Sequence, residues 1–271
     1  MTANIEALAS MPDVQSSVDT RRVAIQKVGV RDVRYPMLVA GAEGASPTIG
    51  EWELTVALPP EEKGTHMSRF LALLEQYRNQ ALSPQLFCQL GVEMLDLLNA
   101  SRGEVAVTFP YFLTKVAPVS GVHSLMDYEV TWGLQAHQSM DAGVQVEFEL
   151  TVLVPVTSLC PCSKAISEYG AHNQRSHVTV SVLSAQPELL DVNRLIPLIE
   201  QQASCELWGL LKRGDEKYVT ERAYDNPKFV EDLVRDVAVA VRDLPGVEHY
   251  RVEAENFESI HNHSAYAVVE G

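Results

Sequence analysis

Three long runs of alternating apolar and polar residues, 104–116, 126–136 and 143–155, follow one another with only glycine- or aspartate-bearing breaks between them. A period of two puts every second side chain on one face of a strand. Runs joined by short turns pair as an antiparallel meander. Shorter alternating runs at 27–34, 50–58, 176–184, 247–259 and 264–270 extend the same pattern. The stretch "PPEEKGTHMSRFLALLEQYRNQ" opens on a turn and then repeats apolar residues at helical spacing through Met67, Phe70, Leu71 and Leu74, with Thr65 as cap. A second helix follows, with Ser83 as cap and Pro84 in its first turn. Two more are expected over 191–213 and 226–244, capped by Asp191 and Asn226, with Gly246 after the last.

The order is strand, strand, helix, helix, strand, strand, and then a similar series again, with no residue-level repeat. Paired helices between strand runs argue for an α+β fold, with helices over one face of an antiparallel sheet. At 271 residues and 46% hydrophobic content the chain has ample material for a core. No apolar run approaches the roughly 20 residues of a membrane span, and the first residues lack the pattern of a secretory signal. Residues 1–24 read as a flexible arm ahead of a body over 25–271, and a cytoplasmic location is expected. A net charge of -15 disfavours nucleic acid, whose binding rests on phosphate neutralisation. No phosphate-binding glycine loop is present, and "GAEGAS" (Gly41 to Ser46) reads as a flexible loop.

The four cysteines are Cys88, Cys160, Cys162 and Cys205. Cys88 falls on the apolar face of the second helix and reads as core. Cys160 and Cys162 flank Pro161 in what reads as an extended loop, where residues i and i+2 point to one side. His172 and His177 follow. Thiolate and imidazole together suit Zn²⁺ or a similar cation. One Cys-x-Cys without a second cysteine pair implies three protein ligands and an open position for water, the arrangement of catalytic sites. The bland alternative is a set of buried cysteines and surface histidines.

Four stretches, "EKGTHMSRF", "PVTSLCPCSKAISEYGAHNQRSHV", "LLKRGDEKYVTERAYDNPKFVEDLVRD" and "ENFESIHNHSAYA", occur in this order and together resemble the prokaryotic type IB GTP cyclohydrolase I family. The resemblance implies a bimodular tunnelling fold (T-fold), with halves near 25–125 and 126–271, assembled as a homotetramer around a barrel. It implies conversion of GTP and water to 7,8-dihydroneopterin 3'-triphosphate and formate, the first step of pterin, folate and deazapurine biosynthesis. It also implies a divalent metal, Zn²⁺, Mn²⁺ or Fe²⁺. By motif position, Cys160, His172 and Glu216 resemble the ligands, with Glu206 and Glu221 as competitors for the carboxylate. Cys162 and His261 resemble proton-transfer groups, with Glu258 as the partner of His261. Glu231 resembles the guanine anchor, because one carboxylate accepts both N1–H and the 2-amino group. Lys63, His66, Arg69, Lys212 and Arg213 are the expected triphosphate contacts, some from a neighbouring subunit. Two other readings stand beside this one: a T-fold deazapurine nitrile reductase, and a non-enzymatic zinc- or redox-responsive binding protein.

Overall fold

The alternating runs become strands of one large sheet. The computed structural model describes residues 14, 15, 17–41, 44–139, 141 and 143–271. The strands are β1 (Ile25–Gly41), β2 (Gly44–Leu58), β3 (Ala81–Leu82), β4 (Arg102–Val116), β5 (His123–Ser139), β6 (Gly143–Leu159), β7 (Asn173–Ser184), β8 (His249–Asn256) and β9 (Ala265–Glu270). Their order across the sheet is β3-β1-β2-β4-β5-β6-β7-β8-β9, and every pairing except the short β1–β3 contact is antiparallel. The expected meander is β4–β5–β6, and Gly121 and Gly143 take the positive φ of its two turns (67° and 72°). β5 spans the junction drawn between the two halves, so 25–125 and 126–271 share one continuous sheet. The proposed arm at 1–24 lies mostly outside the described residues; within it, Val18 bridges Glu62. Two residues of the "GAEGAS" stretch also lie outside them; of the rest, Gly41 closes β1 and pairs with Gly44, and Gly44–Ser46 open β2, so these residues are strand.

Helices α1 (Met67–Tyr77), α2 (Pro84–Leu98), α4 (Val192–Glu200) and α6 (Val230–Arg242) bury apolar stripes. They cover one face of the sheet. At the centre, Phe87 of α2 lies among Trp52, Trp132 and Phe148, with ring centroids 5.5–6.2 Å apart at tilted or edge-on angles. Burying each such ring contributes about 1.5–3 kcal/mol. Ser83 caps α2 as expected, accepting from Leu86 N at 3.2 Å. Asp191 caps α4, accepting from Asn193 N at 2.9 Å. Among the described residues no helix is long and apolar enough to cross a membrane.

Four expectations are corrected. The helix over 191–213 stops at Glu200, and an irregular segment leads to α5 (Arg213–Asp225), which the apolar pattern does not announce. α5 is polar nearly all round and buries only Asp215 and Ala223, so its periodicity is silent. Asn226 ends α5, and its Nδ2 donates to Ala203 O at 2.8 Å; the cap of α6 is Phe229. His66, not Thr65, stands at the cap position of α1. Cys160–Cys162 is not an extended loop: Cys160 caps the short helix α3 (Pro161–Ile166), with Pro161 at its first position, where proline's fixed φ starts a helix.

Candidate active site

The β6–β7 ladder ends at the Leu159–Asn173 pair, and the chain places Cys160 and His172 just beyond it. Cys160 N donates to His172 O at 3.1 Å, which carries the ladder one step further. Ser163 ties the corner: its N–H meets Cys160 Sγ at 3.5 Å, its hydroxyl donates to Cys160 O at 3.2 Å, and His172 N donates to its Oγ at 3.2 Å. The backbones of Cys160 and His172 are thus tied together at this corner. Both residues are half-buried, and Cys162, inside α3, is exposed. Burial pushes the other two thiols up to about 12, aided at Cys88 by Glu188 and at Cys205 by Glu206. Those two stay protonated and inert, as the core reading of Cys88 anticipated.

The same end of the sheet receives three further segments. The loop entering α6 is hydrogen-bonded to the end of β6, Lys228 N to Leu159 O at 3.1 Å. Two residues into α6, Asp232 takes the capping role, accepting from Phe229 N at 3.2 Å, while Glu231 is exposed. The first turn of α5 is held by Asp215, which is fully buried. It accepts from Val119 N, Ser120 N and Lys212 N at 2.8 Å and from Ser120 Oγ at 2.6 Å. Burial opposes its ionisation. The hydrogen bonds from Ser120, Lys212 and Val119 outweigh burial and hold the carboxyl far below the usual range. This clamp docks α5 onto the β4–β5 turn and places Lys212, Arg213 and Glu216, all exposed, at this end. Of the competing glutamates, Glu206 is paired with Arg222 at 3.0 Å and Glu221 with Lys217 at 2.5 Å.

The third segment is the 257–264 loop. Ser259 Oγ reaches His172 Nδ1 at 3.4 Å, and Phe257 packs edge-on against His177 with centroids 4.7 Å apart. His177 lies on the sheet's other face, and burial, then Arg175, lower its pKa. His261 stacks on His263, 5.2 Å between centroids, rather than on Glu258.

Lys63, His66 and Arg69 are elsewhere. They follow β2, whose Val56 is level with Gly103, Ala136 and Val146 on successive strands. Leu159 stands roughly 40 Å further along β6 than Val146, at about 3.3 Å per residue. The "EKGTHMSRF" motif therefore sits at the opposite end of the same chain's sheet. There Lys63 N donates to Ser17 O at 3.2 Å, and Arg69 Nη1 donates to Leu97 O at 3.0 Å near the end of α2.

The donor set fits a borderline divalent cation in chemistry: a cysteine and a histidine are paired through their backbones, with a carboxylate at the same end. His172 also has the outer partner that ligating imidazoles carry, since its Nδ1 meets Gln174 Oε1 at 3.1 Å. Among the described residues, no three of His, Cys, Asp and Glu are grouped closely enough to hold an ion by themselves. Gln174, Asp215 and Ser163 escape a search for ligand types. Gln174 left one signal: it is a polar residue in phase with the apolar face of β7.

The fold is shared with urate oxidases. That of Bacillus sp. TB-90 superposes with a TM-score of 0.56 at 8% identity, over 91% of this chain and 99% of that one. Uricase from Arthrobacter globiformis gives 0.51 at 9%, over 91% and 92%. These likenesses establish the tunnelling fold. A family model described as type I GTP cyclohydrolase folE2 matches residues 11–267. The chain is 67% identical to a GTP cyclohydrolase FolE2 of Bordetella petrii and 65% identical to one of Bordetella pertussis, in each case over the full length of both chains. This favours the cyclohydrolase over the nitrile reductase and the binding protein. The chain belongs to the type I GTP cyclohydrolase folE2 family.

Proposed function

We propose that the sheet end bounded by α3, α5, α6 and the 257–264 loop is the reaction centre at which this GTP cyclohydrolase converts GTP and water to 7,8-dihydroneopterin 3'-triphosphate and formate, opening folate biosynthesis. The observation that carries the assignment is the backbone bond from Cys160 to His172, which pairs a cysteine with a histidine at the strand end where three other segments converge. Cys160, His172 and Glu216 would hold a divalent cation. Zn²⁺, Mn²⁺ and Fe²⁺ all suit this mixed set. Bound there, the cation makes water nucleophilic at neutral pH.

The chain's own groups have separable tasks. Glu231 accepts N1–H and the 2-amino group of guanine and so orients the base. C8 is a poor electrophile until a ring nitrogen is protonated, and Cys162 and His261 are the groups assigned to deliver and recover that proton. Ring opening, release of formate and closure onto the exposed amine each need a proton moved, which is why two such groups are required. Glu258 steadies the loop that carries His261. Lys212 and Arg213 offset the triphosphate charge against a net charge of -15.

Lys63, His66 and Arg69 would join this site only from a second copy of the chain, because they stand at the far end of their own sheet. That supports a site shared between subunits, and the homotetramer is the assembly that the family resemblance implies. The body over 25–271 would act as two modules within it. A reducing, cytoplasmic location would keep Cys160 and Cys162 as thiols.

The test is turnover of GTP by purified protein supplied with Zn²⁺ or Mn²⁺, read as a fluorescent pterin after oxidation, with metal content measured in parallel. Cys160→Ala should lose both the ion and turnover. Cys162→Ala should keep the ion and lose turnover. Full metal content in Cys160→Ala protein would remove it from the ligand set.

A further inference from the structure

On the helix-covered face, among mainly apolar neighbours, four polar side chains are buried in one line. Gln174 is 8% exposed, Ser158 1%, Ser176 0% and Asn256 3%. Ser158 is directly opposite Gln174 across β6–β7, and Ser176 directly opposite Asn256 across β7–β8. The line is continuous: Gln174 Nε2 to Ser158 Oγ at 2.7 Å, Ser158 Oγ to Ser176 Oγ at 2.8 Å, and Ser176 Oγ to Asn256 Oδ1 at 2.7 Å. At its near end Gln174 Oε1 meets His172 Nδ1 at 3.1 Å.

A serine hydroxyl has one proton to give. Ser176 gives its proton to Asn256 Oδ1, which can only accept. Across the next contact Ser158 must therefore be the donor. Its proton is then spent, so it can only accept from Gln174, and Gln174 must present Nε2 to it. This turns Gln174 Oε1 toward His172. An oxygen facing Nδ1 requires that nitrogen to carry the proton, which leaves the lone pair on Nε2. Ser259, 3.4 Å from the same nitrogen, is a hydroxyl and accommodates either direction.

We infer that Asn256 is a positioning residue, which through Ser176, Ser158 and Gln174 sets His172 in the tautomer with Nδ1 protonated and Nε2 free to bind a cation. The direction of the whole line follows from the orientation of its last member, which presents Oδ1 rather than Nδ2 to Ser176. A donor at that position would reverse every bond and put the lone pair on Nδ1, against Gln174. Each contact in the line is made directly from side chain to side chain, so the instruction passes from β8 to the site. The inference rests on His172 acting as a ligand, as proposed above.

The experiment reads the tautomer directly, in protein free of metal. Long-range ¹H–¹⁵N spectra of histidine-labelled protein, taken where the imidazoles are neutral, should show His172 protonated at Nδ1. Asn256→Asp makes this position an acceptor in either orientation and should keep that pattern. Asn256→Leu removes it and should shift His172 toward the Nε2-protonated form, with Zn²⁺ affinity falling 10- to 100-fold. Ser176→Ala, a smaller cut in the same line, should act in the same direction and serves if the leucine variant does not fold. A folded Asn256→Leu or Ser176→Ala protein with the wild-type tautomer overturns the inference. Undiminished Zn²⁺ binding by His172→Ala would instead overturn the ligand assignment, while the tautomer spectra would still decide the role of Asn256.

Discussion

Asp215 shows how one side chain governs several that are chemically more prominent. It touches no expected reactant, yet four hydrogen bonds from three separate residues converge on it and hold the turn from which Lys212, Arg213 and Glu216 project. Its carboxyl is held below the ordinary carboxylate range in the folded chain. Such a group stabilises the fold fully above its unfolded pKa near 4, and that stabilisation is lost as pH falls through the lower folded value. The acid limb of the stability curve should therefore steepen below about pH 4. Asp215→Asn should flatten that limb and weaken the fold at neutral pH, because an amide nitrogen would then face backbone donors. Urea unfolding at a series of pH values checks both. An unchanged acid limb would show that the clamp does not titrate with folding. This residue was not singled out from the sequence, because its function is to accept backbone N–H groups that become neighbours only after folding. Cys160, His172 and Glu231 stood out in the sequence because the chemistry expected of them is local to their motifs.

Among the elements, α4 is pinned by its last residue. Glu200 is buried and takes Lys115 of β4 at 2.6 Å on both oxygens and Tyr128 of β5 at 2.8 Å, while the Lys115 ammonium lies 5.2 Å from the Trp208 ring centroid. Removing one partner of a buried pair leaves the other charge without compensation, at a cost of about 3–5 kcal/mol. Lys115→Met should lower stability by about that amount, and adding Glu200→Leu should recover much of it. Denaturation midpoints of the single and double variants measure this, and an additive double variant would mean that the pair is not coupled. The strands and the amphipathic helices α1, α2 and α6 were readable because burial on one face writes a period into the sequence. α5 was not, because it docks through Asp215, Ala223 and a half-buried Val219 and carries no stripe. α3 was missed for another reason. Six residues hold too little periodicity, and Pro161 reads equally well as a stiffener of a loop or as the first residue of a helix.

At the scale of the molecule, the expected site residues divide between the two ends of one sheet. The division was not visible in the order of the motifs, since it depends on β2 and β6 running to opposite ends. On the proposed assembly, a protein inactivated at Cys160 and another inactivated at Lys63 should complement each other. Mixing equal amounts under conditions that allow subunit exchange should restore about a quarter of wild-type activity, the random share of sites built from two intact halves. No recovery despite proven exchange would place both motifs in separate functions.

That two-ended layout has a kinetic consequence. A lone subunit would carry two incomplete halves and no working centre, so specific activity would decline on dilution even while every molecule stays folded. Catalysis would then report association, and the cell could regulate output through abundance alone, more steeply than in proportion to the amount of protein made.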